Sequence, residues 1–116
     1  MKRQSSQIYA ISKEISAIMA EVKREMESGD PHLSHRDVFN RALRRLAKAE
    51  KRASKIRPLP ENDEIREKFI LGIRRTSDFF RMALAGASMA ELDAVKAEAK
   101  ALIMSAAAER SDAACP

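Results

Sequence analysis

The sequence predicts an all-α chain folded as a single-domain antiparallel, up-down-up-down four-helix bundle, and three observations carry that prediction. Among 116 residues there are three Gly, four Pro, one Tyr and no Trp, so strand formers are scarce while Ala, Leu, Met, Glu, Lys and Arg abound. Apolar residues recur at alternating spacings of three and four along four segments of about 20–25 residues each. Short connectors holding Gly or Pro separate those segments, which makes sequential helices antiparallel neighbours. The bundle is assigned to residues 1–110 and a flexible tail to residues 111–116.

The first helix is predicted over residues 5–28. Ile8, Ile11, Ile15, Ile18 and Val22 trace a coiled-coil-like seam, and Met19 and Met26 widen it on one flank. Gly29 suits the left-handed residue that ends a helix, and Pro31 blocks continuation.

The second helix is predicted over residues 35–56. Ser34 followed by Asp37 forms a variant capping box, and Phe39, Ala42, Leu43, Leu46, Ala53 and Ile56 make the apolar face. Arg57-Pro58-Leu59-Pro60 then breaks the chain, because each Pro removes an N–H and biases its predecessor away from α geometry.

The third helix is predicted over residues 60–85, with Ile65, Phe69, Gly72, Ile73, Thr76, Phe80 and Ala83 inward. Leu71 and Met82 fall off that face and Phe79 at its margin, so the helix has more apolar surface than one seam requires. Leu71, Phe79 and Met82 are therefore a candidate second interface, for a homodimer or a partner helix. Gly86 and the capping box Ser88-Met89-Ala90-Glu91 separate it from the fourth helix, predicted over residues 88–108 with Leu92, Val95, Ala99, Leu102, Ile103 and Ala106 inward.

Charge is distributed unevenly. The net +5 divides into +7 for residues 1–57 (14 Lys and Arg against 7 Asp and Glu) and −2 for residues 58–116 (8 against 10). Its focus is Arg41 to Lys55, RALRRLAKAEKRASK, where Arg41, Arg44, Arg45, Lys48, Lys51, Arg52 and Lys55 stand against the single acid Glu50. On a helix these seven fall within about 120° of arc opposite the apolar face. Surface helices ordinarily alternate signs, since like charges four apart destabilise by roughly 0.2–0.5 kcal/mol per pair. A ridge of one sign points to a polyanionic partner.

The expected partner is nucleic acid backbone, contacted without base readout. The basic helix follows a long seam helix through a Pro-containing connector, unlike a helix-turn-helix, and no aromatic residues interleave with the cations to stack bases. Engagement of roughly five phosphates predicts a log–log salt slope of about −4 to −5. The alternative is a protein-interaction module, such as an inhibitor, adaptor, chaperone or assembly subunit, docking the same residues on an acidic or nucleic-acid-binding protein surface.

Enzymatic chemistry is not expected. His32 and His35, near Asp30 and Asp37, supply two imidazoles where a closed zinc site needs four ligands, so helix capping is the expected role and no metal or cofactor is predicted. Ser34, His35 and Asp37 crowd onto one turn, where nucleophile and base cannot address a substrate. Cys115 has no preorganised base, and no Gly-rich phosphate loop occurs. A single Cys suits a reducing, cytoplasmic setting. No segment approaches 18 apolar residues, and Lys13 and Glu14 interrupt the first apolar run before it reaches the length of a secretory h-region, so no membrane association is expected.

Overall fold

The computed structural model describes residues 2–29, 34–56 and 63–114, with side chains over 7–29, 34–56 and 64–106. Asp30, Pro31, His32, Arg57, Pro58, Pro60 and Cys115, which figure in the sequence analysis, lie outside the described residues. Four α-helices, α1 (Lys2–Glu27), α2 (His35–Ser54), α3 (Asp63–Leu84) and α4 (Met89–Ala114), make up the chain, and no strand occurs among the described residues. The body measures 50 × 24 × 21 Å.

Local chemistry sets most helix ends. The Ser34 side chain accepts a hydrogen bond from the Asp37 N–H, and Ser88 Oγ accepts one from the Glu91 N–H at 3.2 Å, so both capping serines satisfy a donor of the first turn. Gly86 adopts φ +84°, its N–H donating to Ala83 O while the Ala87 N–H donates to Met82 O; this is the Schellman arrangement that satisfies the last carbonyls of α3. At the end of α2, N–H groups of Lys55 and Ile56 reach back three residues to Arg52 O and Ala53 O, tightening the final turn. α4 continues to Ala114, beyond the predicted end at 108, along an Ala-rich run of high helix propensity.

The core forms where the seams meet. Ile8, Ile11, Ile15 and Ile18 of α1, Ala42, Leu46, Ala49, Ala53 and Ile56 in and just after α2, Phe69, Ile70, Ile73 and Phe80 of α3, and Ala106 of α4 make one buried cluster. Val38 and Ile70, outside the predicted faces, are buried as well. α3 packs against both α2 and α4, which accounts for its surplus of apolar surface. It comes close to α4 at Gly72, where a Cβ would lie 2.7 Å from Ile103 Cγ1 and 3.2 Å from the Ile103 backbone nitrogen. The nearby buried hydroxyl of Thr76 donates to Gly72 O at 2.9 Å.

Successive helices are also joined by charge. Arg41, Arg45 and Arg52 of α2 pair with Glu25, Glu21 and Glu14 of α1; Arg74 of α3 pairs with Glu50 of α2; and Arg75 of α3 with Glu98 of α4. Arg66 of α3 donates to Ser54 O at the C-terminal end of α2, at 3.0 Å. Contact between α1 and α4 is thinner than any of these sequential pairings. Small residues, Ser12 and Ser16 of α1 and Ala99 of α4, line an open groove there, whereas a pocket at the α1–α2 seam has a volume of only about 10 Å³.

Candidate functional site

All seven cations of the predicted ridge are in contact with solvent, with Arg45 the most covered. Their surroundings divide them into two files. Arg41, Arg45 and Arg52 lie on the edge of α2 next to α1 and are ion-paired there, Arg41 at 3.1 Å from Glu25 Oε2, the other two to Glu21 and Glu14. Arg44, Lys48, Lys51 and Lys55 are exposed and have no ion-pair partner among the described residues. Glu50, the acid within the ridge, points to the opposite edge and meets Arg74.

Helical geometry explains the division. Residues 44, 48, 51 and 55 follow the spacing i, i+4, i+7, i+11 and occupy about 60° of arc, centred opposite buried Leu46 and Ala53. The stripe is about 16 Å long at 1.5 Å per residue. Residues 41, 45 and 52 lie beside it, rotated toward α1. The acids that meet them are on one flank of the α1 isoleucine seam, as charged e and g residues flank the a/d seam of a coiled coil. These acids were missed by sequence reasoning, although a signal for them existed. Glu14, Glu21 and Glu25 are spaced seven then four, and Arg41, Arg45 and Arg52 four then seven, so the two sets of spacings mirror each other.

The ridge thus neutralises only part of its own charge. Exposed ion pairs of this kind contribute roughly 0.2–1 kcal/mol each, so the three fix the rotation of α2 against α1 more than they stabilise the fold. The unpaired file keeps its full potential in a helix that bears the cost of its repulsions. Arg36 is exposed just before the ridge and has no ion-pair partner among the described residues.

The remaining candidates have defined surroundings. Leu71 is 40% exposed and Met82 half-buried, while Phe79 packs edge-on to Phe80 with ring centroids 5.2 Å apart and lines a groove between α1, α3 and α4. His35 stands 6.2 Å from the Phe39 ring, and among the described residues no three of His, Cys, Asp and Glu come together. Tyr9, 62% exposed, lies under Lys13 Nζ, 5.3 Å from its centroid, on α1 rather than beside the cation stripe. Among the described residues, no helix is long and apolar enough to cross a membrane. No family model, curated protein or solved structure matches the chain.

Proposed function

We propose that this chain is a non-enzymatic binding module that holds nucleic acid backbone on the outer face of α2, through Arg44, Lys48, Lys51 and Lys55. The observation that carries this reading is the unpaired file itself: four adjacent cations, none relieved by an acid, directly beside a file in which every cation is relieved. Duplex DNA presents one charge per about 1.7 Å of axis with both strands counted, so a 16 Å stripe runs past about ten phosphates spread around the duplex, more than four cations need. Arg41, Arg45 and Arg52 act as the frame, holding the stripe outward. Recognition is by charge and shape, since no aromatic stacks beside the stripe.

The scaffold is an antiparallel up-down-up-down bundle. Its support is the numbering of the pairs: residue number falls on α1 as it rises on α2 (25 with 41, 21 with 45, 14 with 52), and it does the same from α2 to α3 (54 with 66, 50 with 74) and from α3 to α4 (72 with 103, 75 with 98). A cytoplasmic setting accords with the single Cys.

Fluorescence anisotropy of a labelled duplex over a salt series tests the reading. Four phosphate contacts predict a log–log slope of about −3.6, whereas all seven cations would give about −6.3. No binding at low salt would refute the reading and direct the search to a protein with an acidic face.

A further inference from the structure

We propose that the groove between α1 and α4 binds an amphipathic anion, a carboxylate on an alkyl chain, with Lys96 and Lys100 holding the head. The groove encloses about 430 Å³, within the 300–1,000 Å³ typical of small-molecule sites. Its walls are Ile15 and Met19 of α1, Phe79 of α3, and Ile103 and Met104 of α4. The groove lies among three helices, and its walls are largely apolar. Two of its walls are Met, whose flexible thioethers adapt to a chain's contour.

Charge identifies the head group. Lys96 and Lys100 both line the groove and lie one turn apart on α4, near enough to share one carboxylate. Neither has an ion-pair partner among the described residues, and Glu98, which lies between them in sequence, is drawn away to Arg75. A groove lined mainly by apolar side chains, with two unpaired cations among its lining, complements an anion with a long apolar tail. The site is separate from the α2 stripe and independent of the nucleic-acid reading.

Titration with dodecanoate below its micellar range, followed by displacement of a fluorescent anilinonaphthalene sulfonate, tests the site. The expected result is saturable binding of one dodecanoate per chain, at least tenfold tighter than dodecanol, and weakening about fourfold for each methylene removed. K96Q/K100Q, two exposed positions that leave the core untouched, should weaken dodecanoate at least tenfold, and S16F should fill the groove and block it. K48E/K51E should bind dodecanoate like the native chain. Equal affinity for dodecanol, or undiminished binding by a folded K96Q/K100Q, would overturn the proposal. A native dimer that S16F dissociates would do so too, by showing that a second copy covers the groove.

Discussion

Arg45 on α2 is ion-paired to Glu21 on α1, while Arg44, its neighbour in sequence, is exposed and meets no acid. A rotation of about 100° separates the two side chains, and it decides what each can do. Arg45 and its companions Arg41 and Arg52 are committed to holding two helices in register. Arg44 and its companions Lys48, Lys51 and Lys55 face solvent with no acid beside them.

Neutralising the acids should convert one file into the other. In E14Q/E21Q/E25Q, Arg41, Arg45 and Arg52 lose their partners and join the outward field. Duplex affinity at low salt should rise, and the log–log salt slope should steepen from about −3.6 toward −6.3. Thermal stability should fall only modestly, because exposed ion pairs contribute about 0.2–1 kcal/mol each. Urea unfolding and anisotropy on the same variant check both halves.

The unpaired file should be a place where stability is sacrificed for binding. Lys48 has like charges at Arg44, Arg45, Lys51 and Arg52, three or four residues away on the same helix, and of these Arg44 and Lys51 have no ion-pair partner among the described residues. Lys48→Gln should therefore stabilise the fold by about 0.4–1 kcal/mol, from the two unrelieved repulsions with Arg44 and Lys51 at roughly 0.2–0.5 kcal/mol each, while weakening the duplex complex. A denaturation midpoint that shifts downward would show that Lys48 supports the fold.

The α3–α4 crossing depends on a missing side chain. Gly72→Ala gains about 1 kcal/mol of helix propensity, but its methyl group would stand 2.7 Å from Ile103 Cγ1 and 3.2 Å from the backbone nitrogen of Ile103. The side chain can turn aside, whereas the backbone cannot move without shifting α4. Overpacking of this kind costs about 1–3 kcal/mol, so a net loss is expected in urea unfolding.

Leu46 is wholly buried at the centre of the α2 seam. Leu46→Ala should cost about 2–5 kcal/mol, and Leu46→Asp, which puts an unpaired carboxylate there, should abolish cooperative unfolding followed by circular dichroism. Neither change should act on binding except through loss of the fold.

Much of the architecture was legible because the local signals agree with one another. The α1 seam from Ile8 to Ile18 is buried as its spacing requires, the serines at 34 and 88 cap their helices, and Gly86 has the positive φ that its place after α3 demands. What escaped was whatever depends on a neighbouring helix. Ile70 and Val38 looked peripheral because a single-helix projection cannot show a second or third neighbour. Where α1 and α4 make their thin contact, the small residues Ser12, Ser16 and Ala99 line the groove between them, and such residues carry no signal in a hydrophobic repeat.

The candidate site was legible in position but not in charge state. Seven cations on one face of α2 follow from periodicity alone, and all seven reach solvent. That three of them are neutralised follows from the mirrored spacings of Glu14, Glu21 and Glu25 against Arg41, Arg45 and Arg52, a relation between two helices that emerges once their direction is known.

The most direct test is to compare R44Q/K48Q/K51Q/K55Q with R41Q/R45Q/R52Q in binding a labelled duplex at about 50 mM salt, each variant first shown to retain the native helix content. The outer-stripe variant should lose binding almost entirely, although it is folded and no less stable than the native chain. The inner-file variant should keep most of its affinity while its thermal stability drops slightly. Equal losses in the two would mean that the paired arginines contact the partner as readily as the unpaired cations, and that the division of the ridge has no functional meaning.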